Sequence, residues 1–309
     1  MLKPEIETAD IDLKTGTTLG FYHYGEERPN ILILSAMEGD TAGCVYTSYL
    51  LMKAVEELGR IDGSMTFLPV ANPLAFRLGA KASPLDAQSL DTVFPGSERG
   101  TVSERIAWEI WRRASQSDYI IHLRSGPRSC VSHVVALYRD YIHVRNLASQ
   151  IGLPYVVQSS SHRGILCTEA AHDGIPAVTI EQRGLREQID PQASVEIRES
   201  ILNFLRLKDM IPGERIETSS VFTGNMLRIN SNSEGFFVPS VGLGDSISVD
   251  GAIGSVQGGG VITSPYEGIV LSLSGMNYVF EGDTIAGVAS GLTEQPREDS
   301  DESSLRRKW

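Results

Sequence analysis

Short apolar runs recurring between helix-spaced segments are the strongest constraint on how this chain folds. Residues 31–35, 65–70, 119–123, 155–158 and 177–180 are largely apolar, with little polar alternation. Alternation marks a strand with one wet face, whereas an unbroken run marks a strand covered on both faces. Between the first two runs, Val45, Tyr49, Met52, Val55 and Leu58 repeat at helical spacing, and Gly59 supplies a stop. Residues 103–114 and 196–207 read as further helices, with Ser103 a candidate cap for the first. Strands buried on both faces and alternating with helices predict an α/β fold around a central, mostly parallel or mixed sheet.

The pattern changes near Pro212. From about residue 216 to 291 the chain reads as short strands punctuated by glycines, among them Gly235, Gly242, Gly251 and Gly258–Gly260. This predicts a C-terminal small β domain over 216–291, after an α/β domain over 1–215. Residues 292–309 are rich in charge and serine and are expected to be disordered. With 41% hydrophobic residues, the 309-residue chain has ample material for a core. A net charge of -12 argues against nucleic acid or an anionic membrane as the main partner. No apolar run is long enough to span a bilayer, and no secretory signal is expected at the N-terminus. Cys44, Cys130 and Cys167 are isolated, with no CxxC pair, which suits a reducing cytoplasm.

Several ordered landmarks carry a resemblance. Asn72-Pro73-Leu74-Ala75-Phe76, Phe94-Pro95-Gly96 and the run from Gly174 to Glu181 follow one another in order. Gly235-Phe236-Phe237-Val238-Pro239, Gly244-Asp245 and Glu281-Gly282-Asp283 continue the series. In these segments the chain resembles the succinylglutamate desuccinylase/aspartoacylase family of zinc-dependent amide hydrolases. The resemblance implies a zinc-carboxypeptidase-like domain followed by a small β domain. It also implies a catalytic Glu at position 181.

The residues that carry the family's chemistry differ. Its His-Gly-Asp/Asn-Glu metal motif stands here as Glu38-Gly39-Asp40-Thr41. Its Asp-Leu-His ligand segment stands as His122-Leu123-Arg124, and its Asp-Leu-Asn-Arg substrate motif as Ser89-Leu90-Asp91-Thr92. Lys81 occupies the place of an upstream basic residue. The substrate-binding candidates implied are thus Lys81, Asp91 and Thr92.

A catalytic zinc needs three protein ligands and an open position. Arg124 has no lone pair to offer, and Thr41 is a poor neutral ligand. No zinc and no other cofactor is therefore expected. A direct Glu38–Arg124 ion pair is expected in its place, because opposite charges stand at two former ligand positions. A metal site rebuilt from Glu38, Asp40 and His122 is the rival; a hydrogen-bonded histidine is the favoured reading of His122. Without zinc-bound water to activate, Glu181 is expected to pair with an arginine rather than act as a base. His133, His143, His162 and His172 show no metal spacing and read as surface or satisfied histidines.

The resulting expectation is a divergent, zinc-less family member that binds a small carboxylate or N-acyl amino-acid-like molecule, or acts as the regulatory partner of a protein. A homo-oligomer is compatible with this. The alternative is a metal-dependent deacylase of N-acyl amino acids with a rearranged metal site.

Overall fold

The computed structural model describes residues 2–39, 41–126, 129–184 and 189–291. Asp40 and the tail from 292 to 309 lie outside the described residues, so the expectations placed on them are not addressed by it.

The chain opens with a hairpin, β1 (Glu5–Asp12) and β2 (Thr17–Tyr24), followed by β3 (Asn30–Ser35), α1 (Ala42–Leu58) and β4 (Ser64–Leu68). Next come α2 (Pro73–Leu78), a single 3-10 turn (Leu90–Thr92), α3 (Val102–Ala114) and β5 (Tyr119–Ser125). Two short strands, β6 (Ser129–Cys130) and β7 (His133–Ala136), lead to α4 (Ile142–Ile151), β8 (Tyr155–Gln158), α5 (Leu166–His172), β9 (Ala177–Gln182) and α6 (Pro191–Leu207). All five expected strands are present, and the sheet is mixed: β3 pairs in parallel with β4 and β5, and β5 with β9, while β7 joins β9 antiparallel.

Burial explains the unbroken runs. Ile31, Leu32, Ile33 and Leu34 are all fully buried, on alternating faces of β3. Ile31 and Ile33 pack into a core with Leu51, Val55, Ile197 and Ile201 from α1 and α6. Leu32 and Leu34 pack into a second core with Ile106 and Ile110 from α3. The cap of α3 differs from expectation. Thr101, not Ser103, caps it: its hydroxyl accepts from the Glu104 N–H, and the Glu104 carboxylate accepts from the Thr101 N–H. Ser103 instead donates through its N–H and hydroxyl to Asp86, at 2.7 and 2.9 Å.

Beyond α6 the regular elements among the described residues are all strands: β10 (Val221–Asn230), β11 (Gly235–Pro239), β12 (Ser246–Ile247), β13 (Ala252–Val256), β14 (Gly260–Thr263), β15 (Gly268–Leu273), β16 (Asn277–Val279) and β17 (Thr284–Ser290). This β module has its own core around Ile229, Phe237, Ile253 and Ile285. It is not detached. The first half of β10 runs parallel to β8, and its second half pairs antiparallel with β17. One 13-stranded sheet therefore runs from the N-terminal hairpin into the module, and a four-stranded sheet stands beside it. Among the described residues, no helix is long and apolar enough to cross a membrane.

Candidate functional site

Strand register builds the site. Arg124 on β5 is the register partner of Glu181 on β9, and Glu181 is the partner of His133 on β7. One step back along the strands, His122, Thr179 and Val135 form the next row. Side chains alternate along a strand, so both rows lie on one face of the sheet, at the C-terminal ends of β5 and β9. Ligands of open α/β sheets bind at such ends.

Arg124 Nη2 donates to Glu181 Oε2 at 2.8 Å, and its Nη1 lies 3.8 Å from Asp91 Oδ2. The expected direct Glu38–Arg124 pair is thus corrected: the close partners of Arg124 are Glu181 and Asp91. The reason is geometric. Glu181 sits opposite Arg124 on an adjacent, hydrogen-bonded strand, whereas Glu38 belongs to the turn after β3 and acts from further away. Burial alone disfavours the charged guanidinium, but the carboxylates of Glu181, Asp91 and Glu38 outweigh it and hold the Arg124 pKa above its ordinary value. Arg124 is therefore a fixed cation.

The other candidates have defined places. Thr41 is buried just before α1, and its hydroxyl donates to the Glu38 carbonyl at 2.9 Å, closing the turn. The Gly39 N–H donates to the Ala80 carbonyl at 2.8 Å, tying that turn to the chain after α2. Asp91 stands in the 3-10 turn, and the Thr92 hydroxyl donates to the Ser89 carbonyl at 3.0 Å. His122 is buried, with Nδ1 at 3.4 Å from Thr179 Oγ1. Burial, reinforced by the charge of Arg124 and opposed by Asp91, pushes its pKa down to about 4. His122 is thus a neutral, hydrogen-bonded histidine at physiological pH. Burial likewise pushes the Cys130 and Cys167 thiols up to about 12, so neither is a ready thiolate.

A cavity of about 570 Å³ opens over this face. Glu38, Lys81, Arg124 and Glu181 line it; Thr41, Asp91, Thr92 and His122 are not part of its lining. The β module closes the other side with Asn225, Met226, Arg228, Ser272, Thr284 and Gly287. Sequence reasoning missed that wall, and no local signal ties Arg228 to Arg124 across so long a stretch of chain. Of the histidines read as surface or satisfied, His133 is buried and lines the cavity. The His133 Nδ1 donates to the Val131 carbonyl at 2.8 Å, while Nε2 has no partner among the described residues. Among the described residues, no group of three or more His, Cys, Asp or Glu is placed to hold a metal ion.

Residues 27–208 match the succinylglutamate desuccinylase/aspartoacylase catalytic domain, more than half of the chain. The chain belongs to the succinylglutamate desuccinylase/aspartoacylase family. A curated relative, the N-alpha-acetyl-L-2,4-diaminobutyric acid deacetylase of Halomonas elongata, is 30% identical over 104 residues. That stretch covers 31% of this chain and 30% of the relative, so the match spans under a third of the relative's length. Among solved structures, the product-bound ectoine utilization protein EutE (DoeB) of Ruegeria pomeroyi superposes with a TM-score of 0.78 at 20% identity, covering 94% of both chains. A family member from Rhodobacter sphaeroides gives 0.78 at 17% identity, over 95% of this chain and 96% of that one. Both likenesses extend through the β module, so the carboxypeptidase-like α/β fold with its small β domain is common to these chains.

Proposed function

We propose that this family member binds a small carboxylate- or amide-bearing molecule of the N-acyl amino-acid type in its cleft and does not carry out zinc-dependent hydrolysis. The observation that carries the reading is the state of Arg124. A guanidinium bonded to Glu181 at 2.8 Å, with Asp91 at 3.8 Å, stands where the resemblance puts a zinc-binding histidine. It supplies positive charge without an open coordination position, and it engages the glutamate that corresponds to the family's catalytic base. The rest of the donor set does not fit zinc either. Thr41 uses its hydroxyl on the Glu38 carbonyl, and Glu38 alone is one carboxylate ligand.

The cleft fits a binding role. Its volume of about 570 Å³ lies in the range of small-molecule sites, roughly 300–1,000 Å³. Its lining mixes cations, carboxylates, hydroxyls and apolar side chains. Family membership and the deacetylase activity named for the Halomonas relative support N-acyl amino acids as the ligand class. They equally support the rival, a deacylase with a rearranged metal site.

Calorimetric titration with N-acetyl amino acids, run alongside an assay for released acid with and without added zinc, separates the two. Saturable binding without release supports the proposal. Zinc-dependent release of the acyl group overturns it.

A further inference from the structure

We propose that Arg228, assisted by Lys81, is the anion anchor of the cleft, so that the β module holds the carboxylate of the bound molecule. This rests on the binding reading above and names which end of the ligand goes where.

Three described cations line the cavity: Lys81, Arg124 and Arg228. They are not equivalent. Arg124 already faces Glu181 and Asp91, and the field of Glu38 reaches it as well. A ligand carboxylate arriving there meets a guanidinium whose charge is matched and whose near donor is taken. Lys81 and Arg228 differ: neither takes part in an ion pair or a side-chain hydrogen bond among the described residues, and both are exposed to the cavity. Anionic charge on a ligand is therefore drawn to them.

The mounting of Arg228 supports the role. Its neighbour Ile229 is buried in the module core, so strand alternation turns Arg228 to the opposite face, the one the cavity occupies. Its backbone is the register partner of Gly287 in the β10–β17 ladder, and Gly287 also lines the cavity. A cation on a paired strand is better positioned than one on a loop. The planar guanidinium fork matches a carboxylate in bidentate geometry, which an ammonium cannot do. Lys81, in the chain after α2, reaches the same space as a flexible point charge. With the carboxylate at Arg228, the amide end of the ligand lies towards the Arg124–Glu181–His133 row.

The test is calorimetry on the full chain with three probes: Nα-acetyl-L-2,4-diaminobutyrate, N-acetyl-L-aspartate and N-acetylglycine, each beside its α-carboxamide. A charge-assisted hydrogen bond predicts that the acid binds about 10-fold more tightly than the carboxamide. Arg228→Leu should abolish that preference and Arg228→Lys should keep part of it. The ligand-free melting temperature should not move in either variant, because Arg228 has no side-chain partner among the described residues to lose. Equal binding of acid and carboxamide by the unaltered protein, or an acid preference that survives Arg228→Leu, overturns the anchor and leaves the binding reading standing. If none of the acids or carboxamides binds, the binding reading falls and the anchor with it.

Discussion

Arg124→Ala removes a cation that Glu181 and Asp91 share, and the cost follows from the geometry. Breaking a fully buried pair by deleting one partner costs about 3–5 kcal/mol, because the surviving charge stays buried. The Arg124 side chain is 32% exposed, while Glu181 and Asp91 are 11% and 13% exposed. Solvent reaching the guanidinium lowers the figure, to about 2–3 kcal/mol. In a chain of 309 residues that is a fall of roughly 3–5 °C in melting temperature. Arg99, exposed and outside every described ion pair, is the control; Arg99→Ala should cost under about 0.5 kcal/mol. Double-mutant cycles read by urea denaturation then rank the partners. Coupling to Arg124 should be largest for Glu181→Gln, about 1–3 kcal/mol, smaller for Asp91→Asn at its longer distance, and smallest for Glu38→Gln. A coupling to Glu38 that exceeds the coupling to Glu181 would refute the reasoning, since it would mean that the turn after β3, and not the β5–β9 register, sets the pair.

Two further outcomes follow from the same site. The His122 pKa falls from 6.5 unfolded to about 4 folded, so between those values the unfolded chain takes up a proton that the folded one refuses. The stability linked to this group is fully present above pH 6.5 and is lost as pH falls towards 4, by on the order of 3 kcal/mol. Denaturation across that window should fall less steeply for His122→Gln; identical slopes would contradict the burial argument. At Gly39 an added Cβ would lie 2.0 Å from the Ala75 carbonyl oxygen and 2.5 Å from the Ala80 nitrogen, both backbone atoms. Gly39→Ala should therefore displace the turn that carries Glu38 and cost about 1–3 kcal/mol, and an unchanged thermal melt would show that the turn does not need this close approach.

What the sequence revealed depended on how locally each feature is encoded. The strands of the central sheet stand out because burial on both faces demands unbroken apolar runs, as in Ile31–Leu34. The N-terminal hairpin is harder to read because most of β1 is exposed and polar. Helix α4 carries Val144, Leu147, Ala148 and Ile151 at helical spacing, but it is short and has no side-chain cap to mark its start. At the site, the residues at 38, 41 and 124 are visible in sequence, and they carry the expectation that no zinc is held there. The partner of Arg124 is not, because it depends on the register of β5 against β9, which is set by packing in both cores. The β-module wall is less legible still, since it depends on distant pairings, β10 with β8 and β15 with β6, that set the module against the cleft.

The central claim is that Arg124 and its carboxylates replace a metal in this cleft. Elemental analysis of protein purified without chelators tests it most directly, joined to a melt with and without added zinc. The purified protein should hold well under one zinc per chain, and neither zinc nor chelator should move its melting temperature. Near-stoichiometric zinc, released when Glu38 or His122 is replaced, would contradict it and restore a metal-dependent hydrolase.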